Sequence, residues 1–418
     1  MNKTMGVAGL ILLAATGSAF ASGYRIPEQS VNSTARAGGY VAYTPGADTA
    51  YYNPANMSWL ENRAHLEADA TWIHLSSIKY SDNRSSLYSG DSETENFFMP
   101  TFFAVSPDYN NFRFGFSVTA PAGLSKQWNE AYPRTFAEEF SLKVFDINPT
   151  VSYKFCDRFS VGAGVRAIYV DGKVKSNGAA PQTLGYNATR DMDGDALEAG
   201  YNLALTARPV DNLNLSLTYR SKVDLGIKGH ADLSTNLTAY SPYTYSGDTG
   251  VEIPLPAILA VAASYTFFDQ LTVELEYDRT YWSDYKNLDF TYPVTFFNPV
   301  LAGAFDSAKS KNWSNTDAWR LSVSYDLKNN WILMAGFAID KSPVPNSTFS
   351  FELPDSDALL YSVGLRYKVN ANLELGAAYL YDDKGSRSVN NLSAGGAVNG
   401  TFDDAAAHLV TVGLTYKL

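Results

Sequence analysis

Cysteine is nearly absent from this 418-residue chain: Cys156 stands alone, in "KFCDRF". One thiol excludes an intramolecular disulfide and any cysteine-built metal cluster. Histidine is almost as scarce, with His65, His74, His230 and His408 scattered and without metal-ligand spacing. No catalytic constellation of Ser, His and Asp accompanies them. Cations are the minority charge, 32 against 43 acidic residues, for a net charge of -11. That balance argues against nucleic acid as a partner. Beyond the first twenty residues no apolar run approaches the length of a membrane-spanning helix.

The first segment reads as an export leader. Lys3 precedes the apolar "VAGLILLAA", and "AFA" places small residues at Ala19 and Ala21, the pattern a signal peptidase cuts. Residues 1–21 are therefore expected to be removed, leaving a mature chain that begins near Ser22.

What the chain has in abundance is period-two alternation. In "DRFSVGAGVRAIYV" the residues Phe159, Val161, Ala163, Val165, Ala167 and Tyr169 share one face, while Ser160, Gly162, Gly164 and Arg166 share the other. The same rule sorts "NLNLSLTYR", "QLTVELEYD" and "HLVTVGLTYKL". A soluble sandwich would alternate too, so the joints decide. Six are tight: "SPDYNN", "KFCDRF", "RPVDNL", "TFFDQL", "DLKNNW" and "KVNANL". Seven long polar connections, near 80–95, 120–140, 172–192, 226–251, 285–316, 340–357 and 382–404, alternate with them. Thirteen joints imply fourteen strands, an all-β, antiparallel transmembrane barrel of the bacterial outer membrane, closed so that no backbone edge meets lipid. Tyr153, Tyr219, Tyr265, Tyr325, Tyr367, Tyr379 and Tyr416 fall near strand ends as interfacial girdles. Arg166, Arg208, Arg220, Arg320 and Arg366 are expected to face the lumen, because a lipid-facing Arg costs about 2–4 kcal/mol at the midplane. Glu198, Glu274, Glu276, Asp278 and Glu374 are their expected partners.

Strands counted back from the C-terminus start near Arg63, which leaves residues 22–62 without a wall position. A barrel of this size has a lumen its own side chains do not fill. The spare segment, rich in aromatics and poor in charge runs, is expected to fold inward as a hatch, with Asn53-Pro54 making a turn against the wall and residues 63–418 forming the barrel.

The chain resembles the FadL and TodX family of long-chain fatty-acid and hydrophobic-compound channels. The resemblance rests on Asn53, Pro54 and Ala55 ("NPA"), "APAGL" at 120–124, "INPTVSYKFCDRFSVGAGV" at 147–165, "YRSKVDLGIKGHADL" at 219–233, "TVELEYDRTYWSDY" at 272–285 and "DKSPVPNSTFSFELPDSD" at 340–357. It implies a fourteen-stranded barrel closed by an N-terminal hatch, and passive uptake of a hydrophobic small molecule without a cofactor or metal. It also implies capture on the loops, binding in the lumen, and lateral release at an inward kink of the third strand. Here that kink falls at Thr119, Ala120, Pro121, Ala122 and Gly123, where Pro121 cannot donate to the ladder and Gly123 permits a bend. Asn53 is the expected hatch partner for the backbone the kink exposes.

For a fatty-acid carboxylate the resemblance points to Lys173 and Lys175, and more weakly to Lys311, since Thr316 stands where a second Lys is expected. Leu237, Tyr240, Tyr243 and Tyr245 are expected to line an external apolar capture patch. A neutral hydrocarbon substrate, a diffusion porin and a barrel hydrolase remain as alternatives. The expected surroundings are outer-membrane lipid and lipopolysaccharide, with the chain acting as a monomer.

Overall fold

The computed structural model describes residues 23–179 and 184–418; the expected leader, 1–21, lies outside the described residues. Fourteen antiparallel strands form the wall: β1 (His65–Leu75), β2 (Glu95–Val105), β3 (Phe112–Gln127), β4 (Glu139–Cys156), β5 (Phe159–Ala179) and β6 (Asn187–Val210). β7 runs in two pieces, Leu213–Arg220 and Val223–Thr235, and β8 likewise, Thr244–Leu255 and Ile258–Phe267. β9 (Leu271–Thr280), β10 (Thr316–Asp326), β11 (Trp331–Asp340), β12 (Ala358–Lys368), β13 (Leu373–Lys384) and β14 (Ala406–Lys417) complete the set. β14 then pairs with β1, from His65↔Lys417 to Leu75↔Ala407, and the barrel closes. The fourteen-strand count from the joints is therefore the observed one. Among the described residues no helix is long and apolar enough to cross a membrane; the strands make the crossings.

The tight joints fold as their residues dictate. Asn110 and Asn111 both have positive φ, 56° and 70°, the pair of angles a two-residue hairpin turn demands. Along the wall, Val165, Leu197, Val363 and Val412 are exposed on the outer face, a band that belongs in lipid. The inner face is polar and buried.

Two expected loops are strand instead. At 172–192 and 226–251, β5 and β6 stay paired to Ala179↔Asn187, and β7 and β8 to Ser234↔Thr244. Beyond the membrane the outer face of a strand is wet, so in "DGKVKSN" and "TRDMDGD" polar residues such as Asp171, Asp191 and Asp193 replace the lipid-facing apolar ones. Val174 and Met192 stay buried on the inner face, and the ladder is kept.

Inside the barrel lie α1 (Val31–Ala35), α2 (Thr49–Tyr52) and a 3-10 turn, Pro54–Trp59, all largely buried. The lumen charges pair across strands, with Arg166 on Asp146 at 2.8 Å and Arg320 on Asp278 and Asp340, each at 3.1 Å. Arg366 pairs with Glu67. Glu274 and Glu276 do not serve as Arg partners through hydrogen bonds. They accept backbone N–H groups of the inner segment: Val41, Ala42 and Tyr43 donate to Glu274 at 2.7, 2.6 and 2.9 Å, and Tyr40 donates to Glu276 at 2.8 Å. Glu374 binds Lys417, and Glu198 accepts from the Gly226 amide at 3.4 Å.

Candidate functional site

The wall is incomplete at one place that sequence chemistry explains. β2 pairs with β3 only from Phe102↔Val118 to Val105↔Gly115. Above that, Pro121 offers no N–H, and the β3–β4 register shifts between Thr119 and Ala122. Pairing between the two sides resumes at Ser92↔Trp128 and at the hydrogen bond that the Glu93 amide donates to Gln127 O, at 2.9 Å. Between these limits Glu95–Thr101 and Thr119–Lys126 face each other across a window. An unpaired strand edge at membrane depth is tolerable only when something satisfies it from inside.

The chain's own N-terminal segment does so. The amide of Gly123 donates to Tyr24 O and the amide of Ile26 to Pro121 O, both at 2.9 Å, with Arg25 and Ala122 as antiparallel bridge partners. Gln29 clasps both sides of the window. Its side chain accepts from the Ala120 amide at 2.8 Å and donates to Ala120 O at 3.0 Å, while its backbone carbonyl takes the Thr101 hydroxyl at 2.8 Å.

Behind the window is a cavity of about 570 Å³. Ile73, Met99, Leu142, Val144 and Leu409 make its walls apolar; Glu28, Lys126, Asp382 and Lys384 line its polar part. Lys126 lies 3.5 Å from Glu95, and Lys384 3.1 Å from Asp355.

Asn53 is elsewhere. Its amide donates to Val41 O, Thr206 Oγ1 and Ser216 Oγ at 2.8, 3.0 and 3.1 Å, which places it against β6 and β7, so the expected pairing of Asn53 with the kink is corrected to Gln29. The physical reason is chain direction: residues 24–29 reach the window first, and the chain has crossed the lumen by residue 53. Pro54 opens the 3-10 turn that Asn53 caps. Ala55 O accepts from Ser160 at 2.9 Å. Gly162 is needed there, since a Cβ would stand 2.4 Å from the Ala55 nitrogen.

The lysines singled out from the sequence are already partnered: Lys173 with Glu139 at 2.9 Å, Lys175 with Asp191 at 2.7 Å, and buried Lys311 with Glu352. Nor do the four loop residues form one patch. Tyr240 and Tyr243 are exposed, whereas Leu237 is buried, and Tyr245 packs edge-on against Tyr292 and Phe296 at 5.6 and 5.4 Å. Asn298 ties this region together by donating to Leu237 O and Tyr240 O, both at 2.9 Å.

Sequence reasoning missed Arg190, whose guanidinium lies over Phe290 and Phe305 at 5.2 and 5.6 Å, with a buried Nε that has no hydrogen-bond partner among the described residues. It sits in the polar stretch "ATRDMDGD", which gave no hint that aromatics from residues 290–305 close over it. Gln29 and Glu28, in "PEQS", were missed for the same reason: only tertiary packing shows what they touch.

Comparison with known proteins places this architecture. The family model "Outer membrane protein transport protein (OMPP1/FadL/TodX)" matches residues 12–418. Outer membrane protein P1 of Haemophilus influenzae is 25% identical over 421 residues, covering 89% of each chain. The long-chain fatty acid transport protein of Escherichia coli K12 is 24% identical over 405 residues, 87% of this chain and 88% of the relative. Among solved structures, a Pseudomonas aeruginosa FadL homologue superposes with a TM-score of 0.81 at 20% identity, covering 94% of this chain and 99% of that one. The Pseudomonas putida toluene transporter TodX gives 0.72 at 16% identity, covering 93% and 98%. These two likenesses establish the fold. Matched by its family model over almost its whole length, the chain belongs to the OMPP1/FadL/TodX family of outer-membrane channels for hydrophobic compounds.

Proposed function

We propose that the chain takes up hydrophobic small molecules, long-chain fatty acids foremost, by capture at the loops, binding in the lumen, displacement of an N-terminal plug and sideways release through the β2–β3 window. In this reading residues 22–62 are the plug, residues 63–418 the channel, and residues 1–21 a leader removed on export. The chain works as a monomer among outer-membrane lipid and lipopolysaccharide and catalyses no reaction.

The observation that carries the reading is the window itself. A wall edge is left unpaired where Pro121 interrupts β3, and the chain's own residues 24–29 occupy it through reversible hydrogen bonds. Release is the demanding step, because an acyl chain gains about 0.8 kcal/mol per buried methylene on entering an apolar site. Exit through a side window into lipid avoids returning that chain to water. Arg190, set in an aromatic surround without an ion pair among the described residues, supports an anionic head group in the lumen.

A second reading, uptake of neutral hydrocarbons, is favoured by Lys173, Lys175 and Lys311 each having a carboxylate partner already. Vesicles carrying the mature chain, given labelled hexadecanoate and hexadecane separately, test both. Faster hexadecanoate entry than into empty vesicles, reduced by Arg190→Leu, supports the first reading. Acceleration of hexadecane alone favours the second, and acceleration of neither rejects the uptake reading.

A further inference from the structure

The cavity behind the window has a chemical bias that its position alone does not explain. Its inward lysines are matched: Lys126 lies against Glu95 and Lys384 against Asp355. Arg25 lies 3.8 Å from Asp278, and Arg320, beyond Glu28, is held by Asp278 and Asp340. Lys143, which also lines the cavity, is exposed on the outer face of β4. Its acceptors are not. Glu28 Oε1 and Asp382 Oδ1 belong to residues lining this cavity, both are shielded from solvent, and neither has a hydrogen-bond partner among the described residues. Glu28 is 4% exposed. Two buried carboxylate oxygens without donors, in a space of about 570 Å³ with mostly apolar walls, make an acceptor site at the end of a hydrocarbon slot.

We propose that this cavity selects a molecule with a long apolar chain and an uncharged head that donates a hydrogen bond, such as a long-chain alcohol or a fatty acid in its un-ionised form. The proposal rests on the uptake reading and adds a selection step at the exit. An anionic carboxylate brings no donor and meets Glu28, Asp382 and Asp355. An ammonium head meets Lys126 and Lys384. A neutral O–H satisfies an orphaned oxygen at no charge cost, while the chain lies along Ile73, Met99 and Val144.

Glu28 is suited to such a head group. Burial pushes its carboxyl up to about 7, Arg320 pulls it down, and Asp382 and Asp340 push it up again. At neutral pH it therefore accepts a donor in one protonation state and shares a proton with a fatty carboxyl in the other. No bond to carbon is made or broken; the proton moves between two carboxyl groups.

Equilibrium binding of labelled 1-dodecanol and dodecanoate to the mature chain in nanodiscs at pH 8, corrected for empty nanodiscs, tests this. The wild type is expected to hold the alcohol about tenfold more tightly than the carboxylate. Glu28→Gln combined with Asp382→Asn puts N–H donors into the cavity and should erase or invert that ratio. Glu28→Gln alone, a milder change, should move it in the same direction. Equal affinities in the wild type, or a ratio unmoved in folded variants, overturns the proposal. Vesicle uptake is read separately, so a failure of transport is distinguishable from a failure of head-group selection.

Discussion

Replacing Gln29 with Leu removes the clasp on the window while keeping a side chain of similar bulk. Three side-chain hydrogen bonds disappear: two with the Ala120 backbone, at 2.8 and 3.0 Å, and one to Ile26 O at 2.8 Å. The Ala120 N–H and C=O are then left unpaired beside an apolar cavity, at about 1–3 kcal/mol for each group, less whatever the added apolar surface returns. A net loss of about 3 kcal/mol corresponds to roughly a hundredfold shift from the closed toward the open plug. Amide hydrogen exchange in nanodiscs reads this directly. Ile26 and Gly123, whose amides bond Pro121 O and Tyr24 O, should exchange roughly a hundredfold faster, while wall amides between β5 and β6 keep their rates. Gln29→Glu keeps an acceptor for the Ala120 amide but loses the donor, and should fall between. Unchanged exchange at Ile26 and Gly123 in the Leu variant would refute the clasp.

Three further outcomes are expected. Gly162→Val drives a side chain into Pro54 and Ala55, where even a Cβ stands 2.4 Å from the Ala55 nitrogen; it should unseat the 3-10 turn and raise planar-bilayer ion conductance severalfold. Glu274→Gln replaces one of two oxygens that accept from Val41, Ala42 and Tyr43 with a donor; the conflict of about 2 kcal/mol should expose residues 40–43 to protease roughly thirtyfold more. The Glu28 carboxyl is raised in the folded state from 4.5 to about 7, so its contribution to plug seating is full below pH 4.5 and lost as pH rises through about 7. Current bursts should therefore become more frequent across that interval, and Glu28→Gln should flatten the profile.

The wall was legible because membrane strands obey a strict rule: one face meets lipid, so the alternation in "SVGAGVRAIYV" and the Asn110-Asn111 turn carry nearly all the needed information. Past the membrane that rule lapses, and the paired continuations of β5 to β8 read as loops. The plug obeys no periodicity. Glu274 and Glu276 were recognisable as inward acids, but their partners are successive amides from a turn at residues 40–43, which no spacing predicts. Pro121 announced the defect in β3, because a missing N–H is a property of the residue. What fills the defect depends on how a segment about a hundred residues upstream crosses the lumen, so Gln29 was invisible and Asn53 was assigned its place.

Sideways release requires residues 24–29 to leave the window, and a covalent staple across it tests that most directly. Arg25 and Ala122 are antiparallel bridge partners, so their Cα atoms lie about 4.5–5.5 Å apart, within disulfide reach. In a Cys156→Ala background, Arg25→Cys with Ala122→Cys should abolish uptake of labelled hexadecanoate into vesicles when oxidised and restore it on reduction. Each single-cysteine variant should transport regardless of redox state. Full uptake with the staple closed would contradict the account, because the ligand would then be crossing without opening the window.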